Sequence, residues 1–479
     1  MNVNKQFDFS KLTLLNCKVY DMFLQTVLAS IMGSALGHTA SEWKDRAIYQ
    51  VLTDRIAYEG SDNTQSCEDL SKYCGGTWSG IENKLDYIAG MGFDAIWISP
   101  MLLNLNDDYH GYAFLDLYQV NDHFGTDVEL KSLISAAHER DIWVMLDVVG
   151  NHVAPVDLAY EQVNPFNESQ YYHTKCQIED WDNQEEVETC RLSNLPDLDQ
   201  NNDFVRSTLL DWVGSLKQNY DFDGLRIDTV CEVHPDFWTE FSAAAGMYTI
   251  GEVFNGDISY VSQYQQYMDG MLSYPLYFAM KDVFGQQQSM LALEALMGPT
   301  GSYYEKFSDL YALGNFIDNH DNARFLNSQA SWTLYKNALT MTVMNIGIPI
   351  VYYGSEQGYN GGDDPANRES LWPNYDRSSE LYAFIQTLVG VRKSSHIADT
   401  SQVQRYASDK FYSFSRGNVL VCLTNSNDDE TVEVVMTYLP FENGQTVCNV
   451  FDSSDCLVVS NDSLVVTMTH GLPKIYTLH

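Results

Sequence analysis

The sequence predicts an α/β chain: a (β/α)8 TIM barrel with a subdomain inserted after its third strand, followed by a C-terminal antiparallel β-sandwich domain. Three observations lead there. Eight short apolar runs, most of them rich in Val, Ile or aromatic residues, recur between Ala47 and Tyr353, as strands buried on both faces should. Amphipathic helical patterns alternate with them; this implies a parallel sheet, and eight such units close it into a barrel. Beyond Ser395 the pattern changes to short strand-like runs separated by Asn, Asp, Ser and Gly turns.

Taken in order, residues 1–40 read as a signal peptide or leader. Met22 to Gly37 is apolar, Lys5, Lys11 and Lys18 precede it, and small and polar residues follow, placing cleavage near Ala40. The run is short for a membrane span, so no stable span is expected. Residues 41–151 hold the first part of the barrel, with strands at 47–53, 94–99 and 143–148. Between them, helices are predicted at 81–91, with Ile81, Leu85, Ile88 and Ala89 on one face, and at 127–140. Residues 152–202 are polar, acidic and without periodicity; a structureless loop of that length does not suit a compact domain, so they read as an inserted subdomain. Residues 203–395 complete the barrel, with strands at 224–230, 248–253, 271–274, 313–317 and 349–353. The accompanying helices are at 203–219, 235–245 and 332–344. Residues 396–479 form the β domain, with strands at 412–415, 419–424, 431–437, 457–459 and 464–468.

A net charge of −38 argues against nucleic acid or an anionic membrane as partner. A neutral polymer is not repelled. Aromatic residues make up 13% of the chain, with 31 Tyr, enough to line a sugar cleft as well as a core. Nine Cys fit an exported protein. The spacing suggests the pairs Cys67–Cys74, Cys176–Cys190 and Cys448–Cys456, with Cys231 and Cys422 unpaired and Cys17 in the leader. No spacing is C-x-x-C, which speaks against zinc or redox use. Asn167-Glu168-Ser169 and Asn461-Asp462-Ser463 match the glycosylation pattern. A secreted, extracellular monomer is expected.

Three segments put acids where barrel strands end: Gly224-Leu225-Arg226-Ile227-Asp228, Gly251-Glu252-Val253-Phe254, and Phe316-Ile317-Asp318-Asn319-His320-Asp321. Active sites of such barrels lie at that rim. Arg226 leaves the same strand face as Asp228, and a guanidinium favours an ionised carboxylate, as a nucleophile needs; a structural Asp–Arg pair is the plainer alternative. Glu252, in a partly apolar pocket near another carboxylate, would keep its proton and serve as general acid. Asp321 could steady a developing positive charge, or the Asn-His-Asp-Asn turn could simply cap a loop. His152, after Asp147-Val148-Val149-Gly150-Asn151, joins the same rim. Three acids and two His at one rim imply cleavage of glycosidic bonds.

These four segments resemble, in order and spacing, the four signature regions of family 13 glycoside hydrolases. Tyr73-Cys74-Gly75-Gly76-Thr77-Trp78, Leu85-Asp86-Tyr87-Ile88, Tyr109-His110-Gly111-Tyr112, Leu195-Pro196-Asp197-Leu198-Asp199 and Asp364-Pro365-Ala366-Asn367-Arg368-Glu369 resemble the secreted fungal α-amylases among them. The resemblance implies Asp228 as nucleophile, Glu252 as acid/base and Asp321 as transition-state stabiliser, with Arg226 supporting Asp228. It implies sugar binding by His152, His320, Tyr112, His110, Asp364 and Arg368. It further implies endo-hydrolysis of α-1,4 bonds in starch- or glycogen-type glucans with retention of configuration. A structural Ca2+ would be held by Asn151, Glu188, Asp197 and the carbonyl of Glu232, all oxygen donors. Two departures stand out. Cys231-Glu232 replaces the usual Lys-His, and Ala113 replaces an aromatic residue, for which Trp181 is a candidate substitute. The first departure motivates a 4-α-glucanotransferase as the alternative activity. A catalytically silent glucan-binding protein is the alternative outside enzymes, set against the retention of all three acids.

Overall fold

The computed structural model describes residues 37–58, 66–427 and 429–479. Its strands are β1 Ile48–Gln50, β2 Ala95–Ile98, β3 Leu102–Asn104, β4 Phe114–Val120, β5 Trp143–Val148, β6 Gly224–Ile227, β7 Tyr248–Gly251, β8 Gly270–Met271, β9 Gly314–Asn315 and β10 Ile348–Tyr352. Eight of them form one sheet in the order β8-β7-β6-β5-β2-β1-β10-β9, with every pairing parallel. A parallel bridge between Leu272 and Gly314 joins the two ends, so the sheet closes into the expected barrel.

Alternation along each strand builds two cores. Outward residues such as Tyr49, Ile96, Val144, Leu146 and Leu225 meet the helices. Inward residues Ile48, Ala95, Trp143, Met145, Ile250 and Ile350 fill the barrel, with Trp43 below them. Full burial of each such side chain contributes about 1.5–3 kcal/mol. Toward the C-terminal ends the inward positions change character. β5 runs Trp143, Met145, Asp147; β6 points Arg226 inward and Asp228 follows; β7 runs Tyr248, Ile250 and then Glu252. The same period of two that packs the floor thus delivers charge to the mouth.

The helices Pro235–Ala245 and Trp332–Met344 have the predicted bounds, and Asp203–Tyr220 runs one residue further. The single helix predicted at 81–91 is two, Trp78–Glu82 and Leu85–Gly90, broken where Asn83 caps the first and Lys84 leaves helical geometry with φ −109° and ψ 2°. Ile81, Leu85 and Ile88 are fully buried all the same, so the apolar face was real although the helix is interrupted. The strand expected at 271–274 is only Gly270–Met271, because Ser273 leads into a helix, Tyr274–Met280, with Pro275 in its first turn.

The hairpin β3–β4, absent from the sequence reading, stands in the loop after β2. The insertion contains the short helix Gln184–Thr189 and the Cys176–Cys190 disulfide. Its return stretch is tied to the barrel rim by Val153 N donating to Pro196 O (3.1 Å) and Leu198 N to Asn151 O (2.9 Å). The Cys67–Cys74 and Cys448–Cys456 disulfides also form, and Cys231 and Cys422 are free and buried.

The C-terminal domain adds β11 Gln402–Ala407, β12 Phe411–Arg416, β13 Val419–Thr424, β14 Val432–Met436, β15 Thr446–Asn449, β16 Asp452–Val458, β17 Leu464–Met468 and β18 Lys474–Leu478. A six-stranded sheet, β11-β12-β13-β18-β15-β16, and the β14–β17 pair enclose a core that includes Phe411, Leu420, Val434, Met436, Val447 and Val466. β11, β15 and β18 were not foreseen, and β16 starts earlier than predicted. In its Asp452-Ser453-Ser454-Asp455 stretch, which looks like a turn, Asp452 pairs with Asn449 of β15 across an irregularity in the ladder.

The expected leader core lies outside the described residues up to residue 36, as does Cys17. Residues 37–40, assigned to the leader from sequence, are built into the barrel floor. Gly37 N donates to Gly246 O (2.9 Å), Tyr248 N donates to His38 O (2.9 Å), and the His38 ring stacks on Trp143 with centroids 3.6 Å apart. Among the described residues, no helix is long and apolar enough to cross a membrane.

Candidate active site

The barrel ladder runs one residue past its strands and so sets two acids side by side. Asp228 N donates to Val148 O (3.0 Å), Glu252 N to Ile227 O (2.8 Å), and Val230 N returns a bond to Glu252 O (3.0 Å). Gly251, which precedes the second acid, is tightly packed: a Cβ there would lie 2.2 Å from Met268 Sδ and 3.0 Å from Val230 Cγ2, so the Met268 side chain would have to move. One guanidinium then joins the two side chains. Arg226 Nη1 bonds Asp228 Oδ1 at 2.7 Å and Asp147 Oδ1 at 2.9 Å, while Nη2 lies 2.8 Å from Glu252 Oε2.

Burial pushes both acids up, and they diverge. Glu252 rises to about 8, through burial and the charges of Asp228 and Asp321, against the pull of Arg226. Asp228 rises only to about 6, since Arg226 opposes its burial. Between those limits Glu252 carries a proton and Asp228 is a carboxylate. Tyr274 OH, 3.2 Å from Glu252 Oε1, and Thr229 N, 3.3 Å from Oε2, fix the acid in place. Asp321 lies across the pocket, with Oδ2 3.3 Å from His320 Nε2 and Oδ1 3.7 Å from Arg368 Nη2. Burial raises it as well.

The predicted sugar-binding residues form one connected wall. Gln50 Nε2 meets His320 Nδ1 at 2.8 Å, so His320 carries its proton on Nε2, which meets Tyr112 OH at 2.6 Å. That hydroxyl donates to Asp147 Oδ2 at 2.7 Å. Burial, followed by the charges of Arg226 and Arg368, holds His320 well below its ordinary range, so the ring is neutral. His110 stacks beside Tyr112, with centroids 5.6 Å apart, and burial lowers it to about 3. Arg368 Nη1 pairs with Asp364 Oδ1 at 3.0 Å and donates to Tyr109 OH at 3.2 Å. His152 Nε2 faces the Tyr112 carbonyl at 3.1 Å. The wall therefore comes from loops after β2, β5, β9 and β10. Trp181, in the insertion, is 55% exposed.

Behind His152 lies a cluster of oxygens. His152 is neutral, lowered to about 4 by burial, and its Nε2 proton goes to Tyr112 O, which leaves Nδ1 as an acceptor. Asn151 Nδ2 donates to it at 3.2 Å. Asn151 Oδ1 is then turned toward Asp197 Oδ1 (2.8 Å) and the Glu232 carbonyl (3.2 Å), with no donor between the three. Turning the amide over would set its oxygen against the Nδ1 lone pair. An amide, a carboxylate and a carbonyl pointing at one another are what a hard cation satisfies. Among the described residues, no group of three or more His, Cys, Asp or Glu forms a metal cluster; two of these three donors are of other kinds. His173 Nδ1 holds the second oxygen of Asp197 at 2.6 Å. Glu188, the fourth expected donor, accepts from Gln184 Nε2 at 2.8 Å and lines the adjoining cavity of about 400 Å³ with His173 and Gln200. The Glu232 side chain is buried against the Cys231 thiol, Sγ to Oε2 3.2 Å.

Four residues of the site went unassigned in the sequence: Gln50, Trp97, Asp147 and Tyr274. Asp147 is the hub, receiving Arg226, Tyr112 OH and Trp97 Nε1, the last at 3.0 Å. The signal was present, since Asp147 is the lone acid in a six-residue run that is otherwise apolar.

The α-amylase catalytic-domain model, described as "Alpha amylase, catalytic domain", matches residues 50–372. Alpha-amylase 2 of Schwanniomyces occidentalis is 38% identical over 465 residues, covering 91% of this chain and 90% of that protein. An alpha-amylase of Saccharomycopsis fibuligera is 36% identical, covering 91% and 92%. The solved structure of an alpha-amylase from Malbranchea cinnamomea superposes with a TM-score of 0.88 at 37% identity, covering 92% of this chain and 97% of that one. A barrel whose mouth carries two acids bridged by one arginine, matched by kin along nearly its whole length, has one placement: the chain belongs to the α-amylase family of glycoside hydrolases.

Proposed function

We infer that the chain hydrolyses internal α-1,4 bonds of starch- or glycogen-type glucans with retention of configuration. The observation that carries this reading is the Arg226 bridge, which holds an ionised Asp228 beside a protonated Glu252. Asp228 attacks the anomeric carbon while Glu252 gives its proton to the departing oxygen. The glycosyl-enzyme ester then forms, and Glu252, now a carboxylate, takes a proton from the attacking water. Asp321 faces the positive charge that develops on the sugar ring. Neutral His320, His152 and His110 offer N–H and lone-pair partners to hydroxyls, and the Tyr112 ring lies under the sugar.

Asn151, Asp197 and the Glu232 carbonyl suit Ca2+, with Glu188 as a further donor. The ion would act structurally, pinning the insertion to the rim that carries His152. Three disulfides and the apolar leader pattern support secretion. Proton NMR of maltoheptaose digestion tests the chemistry. Newly formed reducing ends should be α before they equilibrate; β ends would refute the double displacement.

A further inference from the structure

The hydrogen bonds around Glu252 decide which of its oxygens carries the proton it gives away. Oε2 receives two N–H donors, Arg226 Nη2 at 2.8 Å and Thr229 N at 3.3 Å. An oxygen already filled by two donors has no place for a proton of its own. The proton of the acid form therefore sits on Oε1, which faces Tyr274 OH at 3.2 Å.

Asn319 decides what the tyrosine does there. Asn319 Oδ1 accepts from Asp321 N at 3.2 Å, Asn322 N at 3.1 Å and Asn322 Nδ2 at 3.0 Å. Three donors on one side fix the amide, so its Nδ2 is turned the other way and donates to Tyr274 OH at 3.0 Å. The tyrosine oxygen is thus taken up as an acceptor. Tyr274 is fully buried, and a buried hydroxyl proton without a partner is costly, so that proton goes to Glu252 Oε1. The ring cannot swing away, because Phe254 and Phe316 hold it edge-on at 4.9 Å and 5.0 Å. Tyr274 therefore donates to Oε1 and leaves the acid's own hydrogen to turn into the cleft.

We propose that Tyr274 is a positioning residue that aims the Glu252 proton at the departing glycosidic oxygen, with Asn319 setting the direction of its hydroxyl. This rests on the acid role given above to Glu252. In the step, the Oε1–H bond breaks and the hydrogen bonds to the glycosidic oxygen. The electron pair of the bond between that oxygen and the anomeric carbon goes to the oxygen, while Asp228 bonds to the carbon. Tyr274 keeps its hydrogen bond to Oε1, so the same contact receives the charge left on the carboxylate. Because Asn319 also holds Asp321 N, one amide keeps the acid's proton and the third carboxylate in register.

The test uses the full chain and compares kcat/KM, which reports the steps up to the glycosyl-enzyme ester, on two substrates. The sugar leaving from maltoheptaose needs the proton; the fluoride leaving from α-maltotriosyl fluoride departs without it. Tyr274→Phe should lower kcat/KM on maltoheptaose about ten- to a hundredfold and change that on the fluoride by less than about threefold. Asn319→Asp should give the same split, since the new carboxylate takes the Tyr274 proton and leaves the tyrosine oxygen to draw the Glu252 proton away from the sugar. The rate on the fluoride also shows that each variant is folded. An equal fall on both substrates overturns the proposal, as does a wild-type value on maltoheptaose in either variant. Glu252→Gln that cleaves maltoheptaose as fast as wild type overturns the underlying acid role instead.

Discussion

The two ends of the barrel bury charge in opposite ways. On the floor, Asp223 is almost fully enclosed and saturated with donors: Val144 N at 2.7 Å, His138 Nε2 at 2.8 Å, and His38 Nε2 at 3.4 Å. At the mouth, Asp147, Asp228 and Glu252 share one guanidinium, so three carboxylates compete for a single cation. A buried acid given enough donors is a structural element. Acids that outnumber their cations are held for chemistry, because burial with too little countercharge keeps one of them protonated.

The contrast predicts opposite responses to mutation. Glu252→Gln should lower turnover on soluble starch about 10²–10⁴-fold, the range for a lost general acid, while leaving the melting temperature unchanged below about pH 8, since an amide of the same shape replaces a carboxyl that is already protonated. Undiminished turnover would remove Glu252 from the chemistry. The pH profile of kcat/KM should be bell-shaped. It falls below about 6 as Asp228 takes up a proton, and above about 8 as Glu252 loses one. Each limb should drop about tenfold per pH unit. Glu252→Gln should abolish the alkaline limb in the residual activity.

Chelation by EDTA should lower the melting temperature and the starch activity together, and Ca2+ should restore both. At a free ion concentration of about 100 Kd the stabilisation is ~2.7 kcal/mol. Asp197→Asn should shrink that gain, and a melting curve indifferent to both chelator and ion would dismiss the site. The smallest functional effect belongs to the floor. Asp223→Ala should cost about 2–3 kcal/mol by stranding Val144 N and His138, with kcat/KM on starch unchanged below the unfolding range. A matching loss of activity would erase the distinction between the two ends.

Legibility in the sequence followed the same division. The barrel strands and the three acid-bearing segments announce themselves because an apolar run ending in an acid is hard to explain otherwise. Asp228, Glu252 and Asp321 all stand at the barrel mouth, around Arg226 and His320. Asp147 escaped because it lies inside its run rather than at the end, where only the inward period of two gives it away. Gln50 and Tyr274 escaped because a polar residue in β1 and a tyrosine opening a helix carry no chemical signature alone; their roles exist only through His320 and Glu252. The oxygen cluster at Asn151 drew its meaning from the resemblance, and the tautomer of His152 then supplied a physical reason for it. β18 was missed since its partners lie far back along the chain, whereas β11, which forms a hairpin with the next strand, was missed for want of an apolar pattern. β11 pairs with β12, but only Val403, Tyr406 and Ala407 in it are apolar; β18 is placed by β13 and β15, not by its own pattern.

The pairing of β1 with β10 has a consequence for biosynthesis. Ile48 meets Ile350, and Gln50 meets Tyr352. Translation at roughly 5–20 residues per second puts about 15–60 s between the emergence of the two partners. Throughout that interval the growing polypeptide presents unpaired, apolar β edges. A barrel sewn shut by its first and last staves thus depends on whatever shields the nascent chain until the final one arrives.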